Sequence, residues 1–129
     1  MNDNAHLPRI VFQIQRVDSN GAWGELAMFA DGELLMRARD YPLTMLSSQL
    51  SAWSNCVDDG DHCAMFFLNI AGHPEFLSTF RIEPRPTGWQ FTSISEIRRH
   101  ERLFTLNEYK QMVSLFREQL LSALDSSDH

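Results

Sequence analysis

The sequence predicts an α+β domain: an antiparallel sheet of about six strands with two helices packed on one face, in the order βββαβββα. Three observations carry this prediction. Apolar and polar residues alternate with period two near the start of the chain and again in the stretch Phe76 to Ile97. Turn residues as short as Asp31-Gly32 punctuate the strands, so consecutive ones form an antiparallel meander. Two other stretches place their apolar residues at helical spacing, and burying those stripes against the sheet is the simplest two-layer solution. At 129 residues the chain has material for one domain, with 1–8 and 125–129 expected as loose ends.

The first strand is Arg9 to Val17, with Ile10, Phe12 and Ile14 on one face, and Asp18-Ser19-Asn20-Gly21 turns the chain. Trp23 to Ala30 and Glu33 to Ala38 follow as the second and third strands. Asp40 then reads as a helix cap and Pro42 as a first-turn residue, where its missing N–H costs nothing. Leu43, Leu46, Leu50 and Trp53 place a helix over Pro42 to Ser54, with a loop from Asn55 to His62. The apolar run Cys63 to Ile70 predicts a central strand covered on both faces. Ala71-Gly72-His73-Pro74 leads into the pair of strands in Phe76 to Ile97. Phe76, Phe80 and Ile82 alternate there with Leu77, Thr79, Arg81 and Glu83, while Pro84, Pro86 and Gly88 mark the turn. After the charged connection Arg98 to Arg102, Thr105 and Glu108 form a capping box, flanked by Phe104 and Tyr109 as a hydrophobic staple. Leu106, Tyr109, Val113, Phe116, Leu120 and Leu124 carry the stripe of the closing helix.

Composition narrows the function classes. A hydrophobic content of 43% with nine Phe and three Trp is enough for a packed core. The net charge of −6 argues against direct nucleic-acid binding, which rests on Lys and Arg neutralising phosphates. No apolar run approaches a membrane span, and the first residues lack a signal pattern, so a cytoplasmic protein is expected. That setting keeps Cys56 and Cys63 reduced.

Four constellations are candidate sites. The stretch Cys56 to Cys63 gathers Asp58, Asp59, Asp61 and His62, but the acidic spacing is not that of a calcium loop and the cysteines stand too far apart for a CxxC clamp. A solvated turn is the plainer reading, and an acidic contact point for a partner, made by Asp58, Asp59 and Asp61, is the functional one. No metal and no cofactor is expected there. Arg81, Arg85, Arg98, Arg99 and Arg102, with His100 and Trp89, could clamp a single strand of nucleic acid. Salt bridges with Glu83, Glu96 and Glu101 are the better account, with an interface rim as the functional version. No GxSxG elbow, HExxH or Gly-rich phosphate loop is present, and no catalytic residue is assigned. Among the tryptophans, Trp53 and Trp89 read as core; Trp23, between Ala22 and Gly24, also reads first as core and is the best candidate of the three for an exposed anchor.

In this order of elements the chain resembles small bacterial immunity proteins, the antitoxins of polymorphic and contact-dependent growth inhibition systems. The residues that carry the resemblance are the Asp31-Gly32 hairpin, the helix with Leu46, Leu50 and Trp53, and the strand Gly88-Trp89-Gln90-Phe91-Thr92-Ser93. The closing helix with Leu106, Val113, Phe116 and Leu120 completes it, so that it spans residues 10 to 124. Similar proteins often carry an aromatic and acidic run after that strand, whereas here Ile94-Ser95-Glu96 is followed by Ile97-Arg98-Arg99. The resemblance implies a non-enzymatic inhibitor that binds the C-terminal domain of a cognate toxin, with a nuclease as one toxin class. The alternatives are a small acidic secretion chaperone and a metal-dependent enzyme built on the 56–63 stretch.

Overall fold

In a computed structural model, residues 7–30, 32–58, 65–69, 80–93, 98–99 and 103–127 are described. Their order is β1 (Arg9–Asp18), β2 (Gly21–Ala30), β3 (Glu33–Pro42), α1 (Leu43–Asp58), β4 (Phe66–Phe67), β5 (Phe80–Arg85), β6 (Gly88–Ser93), β7 (Arg98–Arg99) and α2 (Leu106–Ser127). The α+β class and the antiparallel pairing hold. Among the described residues, however, the strands divide into two sheets, β1-β2-β3 and β4-β5-β6-β7, where one was expected.

One apolar core joins both sheets to both helices. From the first sheet it takes Ile10, Leu26, Met28 and Met36, with Phe12, Ile14 and Ala38 packed against it. Those residues alternate with exposed or half-exposed Val11, Gln13, Ala27 and Arg37, so one face of the sheet is inward and the other outward. Phe12 meets Phe116 of α2 edge-on, with ring centroids 5.6 Å apart. The second sheet contributes aromatics. Phe91 stacks on Phe80 at 5.3 Å, and Phe80 lies 5.7 Å from Phe66. Trp53 of α1 then meets Phe66 at 5.8 Å and Trp89 at 5.4 Å, edge-on in both cases. Edge-to-face rings bring the positive rim of one against the negative face of the other.

Helix α1 is longer than the sequence predicts. Its stripe Leu43, Leu46, Leu50 and Trp53 continues to Val57, which is fully buried, so Asn55 through Asp58 are helical rather than loop. Asp40 does not cap it. Strand β3 runs on to Pro42, which pairs with Trp23, and Asp40 sits at a left-handed φ of 50° with its carboxylate turned to Arg16. The turn before β2 is fastened instead by Thr44, whose Oγ1 accepts from the Ala22 N–H at 2.9 Å. Gly21 permits this approach, since a Cβ there would lie 2.5 Å from Thr44 Cβ.

Among the described residues, strand β4 is an edge strand of two residues, not a central one. Phe66 and Leu68 are buried while Phe67 is 40% exposed, so the apolar run faces the core on one side only. Gln49 ties the next residue to α1: its Nε2 donates to the Asn69 carbonyl at 2.6 Å and its Oε1 accepts from the Asn69 N–H at 3.0 Å. Cys63, Ala64 and Ile70 lie outside the described residues.

In the second sheet the alternation of Phe80 and Ile82 with Arg81 and Glu83 is as expected, while Phe76, Leu77, Thr79 and Ile94 to Ile97 lie outside the described residues; β5 includes Pro84 and Arg85, and Gly88 opens β6 rather than ending the turn. Trp89 exchanges two backbone hydrogen bonds with Phe104, at 2.8 and 3.0 Å. Gly88 makes room for that return segment, as a Cβ there would lie 3.0 Å from Leu103 Cβ and 3.1 Å from the Phe104 carbonyl oxygen. The capping box forms, with Thr105 N–H donating to Glu108 Oε1 at 2.8 Å and Glu108 N–H donating to Thr105 Oγ1 at 3.1 Å. The staple forms as well, with Phe104 and Tyr109 edge-on at 5.7 Å. Burial, helped by the neighbouring Glu108 charge, pushes the Tyr109 phenol well above the ordinary tyrosine range. Helix α2 runs to Ser127, through the positions 125–127 that the sequence assigned to a loose end.

Candidate interaction surface

The face of the first sheet turned away from the helices follows from the strand register. Residues paired across an antiparallel ladder share a face. Arg9 is opposite Phe29, Val11 opposite Ala27 and Gln13 opposite Glu25, and Ala27 in turn is opposite Arg37. The ladder slips between Ile14 and Arg16, a bulge that brings Arg16 opposite Trp23 and returns it to the outer face. Without the bulge, Arg16, two residues after Ile14, would share the inner face with it.

Trp23 is consequently buried outside the core. It is 7% exposed, yet it is the one buried apolar residue among those described that the contiguous core excludes. Its cover is polar. The Arg16 guanidinium lies 4.5 Å above the indole ring, and the indole N–H donates to Asp18 Oδ1 at 3.1 Å. Arg16 also donates to Asp18 Oδ2 at 2.8 Å and to Asp40 Oδ1 at 3.2 Å. The Asn20 N–H, 2.8 Å from Asp18 Oδ1, together with Trp23 and Arg16, holds the Asp18 carboxyl below the usual aspartate range. Trp23 is thus neither part of the core, its plainer expectation, nor an exposed anchor, but a tryptophan under an arginine lid.

Further along the same face, a depression of about 430 Å³ is lined by Val11, Gln13, Glu25, Ala27, Phe29 and Arg37, together with Phe12 and Leu26. Val11 is 44% exposed there. Arg9 covers part of Phe29, its guanidinium 5.5 Å from the ring centre. Arg39 reaches Glu25 at 3.9 Å, a distance at which an exposed pair contributes little. Among the described residues Arg37 has no carboxylate partner. The result is an apolar floor ringed by Arg9, Arg37, Arg39 and Glu25, which is locally basic on a chain of net charge −6. Its signals in the sequence were the arginines at 9, 37 and 39. Their convergence depends on pairings between strands and could not be read from spacing.

Of the arginine cluster of the second sheet, Arg81 and Arg85 are engaged in local ion pairs. Arg81 and Arg85 flank Glu83 on β5, with N–O distances of 3.5 and 3.6 Å, and Arg85 Nε donates to Gln90 Oε1 at 3.1 Å across the ladder. Arg98 and Arg99 form β7, while His100 and Arg102 lie outside the described residues. Of the acidic trio, Asp58 is the last residue of α1, and Asp59 and Asp61 lie outside the described residues, as do His62, Cys63 and His73. Cys56 is an exposed free thiol on α1. Trp53 and Trp89 are core residues, as expected.

Among the described residues, no three His, Cys, Asp or Glu side chains converge as metal ligands would. No described helix is long and apolar enough to cross a membrane. No protein-family model matches the chain, and neither does a curated protein or a solved structure.

Proposed function

We propose that the protein acts by stoichiometric binding, as a cytoplasmic immunity protein that docks on a toxin domain and blocks its active site or its assembly, with no reaction of its own. The observation that carries this reading is the outer face of the first sheet. Val11, Ala27 and Phe29 form an apolar floor, and Arg9, Arg37, Arg39 and Glu25 ring it. An apolar centre with aromatic and Arg groups inside a polar rim is the composition of a protein–protein interface. The resemblance to immunity proteins in the order and character of the elements supports the same function.

Charge acts at two ranges. The net charge of −6 steers the whole chain toward a basic partner and raises the encounter rate. At contact, the sheet face would seat an apolar or acidic part of the toxin against its arginines. The acidic stretch of Asp58, Asp59 and Asp61 would meet basic toxin residues.

Co-expression with the toxin domain encoded beside the gene tests the function. The expected outcome is restored growth and a one-to-one complex that survives gel filtration. Continued toxicity with no co-elution would refute the reading.

A further inference from the structure

The sheet edges of this fold differ sharply in quality as templates. Strand β3 is broken by two register shifts along its pairing with β2, and β4 and β7 are two residues each. Strand β1 is different. From Arg9 to Ile14 it runs in unbroken register with β2 and contains neither Pro nor Lys, the usual means of blunting an edge. Among the described residues nothing pairs with its other side.

Exposed apolar side chains flank that edge on both faces of the sheet. Val11, 44% exposed, lies on the outer face. On the helix side, Leu115 of α2 is 49% exposed beside a groove of about 310 Å³, lined also by Arg9, Ile10, Val11, Phe12 and Gln119.

We propose that two copies of this chain pair antiparallel through β1, about a two-fold axis at Val11, to make one continuous sheet of six strands. The strand is self-complementary in that register. Opposite residues in an antiparallel pair share a face, so Val11 meets Val11 of the second copy, Arg9 meets its Gln13, and Ile10 meets its Phe12. No like charges stand opposite one another. Both apolar groups beside the edge gain an apolar neighbour at once, Val11 beside its counterpart on the outer face and Leu115, which lines the groove beside the same residues, on the helix side. The bulge after Ile14 lies beyond the paired segment, where it ends the ladder. The occupant is thus a second copy rather than an arbitrary strand, and the pairing does not depend on the partner of the previous section being a toxin.

Sedimentation equilibrium of the full chain, from micromolar to near-millimolar concentration, tests the proposal. The expected mass rises toward twice 14.9 kDa. Val11→Lys places two ammonium groups opposite each other at the axis and returns the mass to that of a single chain, as does Leu115→Lys. Val17→Lys, on the same strand and 59% exposed but beyond the paired segment, leaves the dimer intact. Circular dichroism and the melting temperature of each variant report whether it folds. A wild-type mass that stays at one chain at the highest concentration overturns the proposal, and so does a dimer that persists in folded Val11→Lys.

Discussion

The two sheets of this molecule do different work with similar residues. Each contains a tryptophan near the start of a strand, Trp23 on β2 and Trp89 on β6, and each contains arginines beside acidic groups. Trp89 is fastened inward. It touches Trp53, exchanges hydrogen bonds with Phe104 and belongs to the core shared with α1 and α2. Trp23 is fastened outward, under Arg16, on a face that no described element covers. The second sheet therefore commits its tryptophan to the core that both sheets share, while the outer face of the first sheet can change its side chains at little cost to the fold.

Truncation in the second sheet's aromatic set tests the first half of that contrast with the largest effect. Trp53→Ala removes the ring that links Phe66 to Trp89, and a fully buried aromatic-to-alanine change costs about 3–5 kcal/mol. Urea denaturation followed by circular dichroism would read this as a fall in midpoint at unchanged slope. A loss below about 1 kcal/mol would mean the aromatic set does not bind the sheet to the helices.

Next in size is Gly88→Ala. The new methyl would press on Leu103 Cβ and the Phe104 carbonyl, and overpacking of this kind costs roughly 1–3 kcal/mol. Thr105→Ala should cost about 1 kcal/mol, through loss of the bond from the Glu108 N–H at the start of α2. Both are read in the same denaturation experiment, and their order matters: the close approach at Gly88 should outweigh the helix cap.

These predictions concern features that the sequence shows with unequal clarity. The capping box, the staple, the Asp31-Gly32 hairpin and the Leu43–Trp53 stripe are local, and each rests on residues within about one helical turn or one tight loop. The division into two sheets is not local. Alternation tells that a strand has a buried face but not which strand lies beside it. The same limit misplaced β4, whose apolar run resembled a doubly covered strand until Phe67 proved exposed at an edge. Asp40 was misread for a related reason. Asp followed by Pro two positions on is a helix-start signal, but the competing partner, Arg16, lies 24 residues back. The end of α1 was within reach, because Val57 stands four residues after Trp53 and completes its stripe. The candidate site was hardest. Arg9, Arg16, Trp23, Phe29 and Arg37 share a face only through two ladders and a bulge, and no spacing along the chain expresses that.

Acid titration probes the outer lid of Trp23. The Asp18 carboxyl is held below its ordinary value of 3.8, so its contribution to stability is present above that pH and disappears as the pH falls through the lower folded value. The indole N–H resonance of Trp23 in an NMR spectrum should therefore move as the pH drops below 3.8, while the signals of Trp53 and Trp89 stay in place until global unfolding. In Asp18→Asn that separate transition should be absent. If all three indole signals shift together in the wild-type chain, the lid is not an independent unit and the two tryptophans are less different than their surroundings suggest.

The smallest expected effect on stability belongs to Arg37→Glu, and it separates the two roles most cleanly. Arg37 lines the depression beside Ala27 and Val11, is exposed, and has no carboxylate partner among the described residues. Replacing it removes no core contact, so the denaturation midpoint should move by no more than about 0.5 kcal/mol equivalent. Binding should respond differently. The face would change from three arginines against one glutamate to two against two, and a partner surface chosen for those arginines would meet a like charge. A reversed charge at an interface costs several kcal/mol of affinity at most and shows first in the association rate and its dependence on salt. The measurement is surface plasmon resonance against a captured toxin domain, the partner proposed above, at two salt concentrations, with Arg117→Glu, exposed on α2, as the control. Loss of affinity in both variants would point to a general field effect of the net charge. Loss in Arg37→Glu alone, at unchanged stability, would locate recognition on the outer face of the first sheet, which the fold leaves free because its core is built elsewhere.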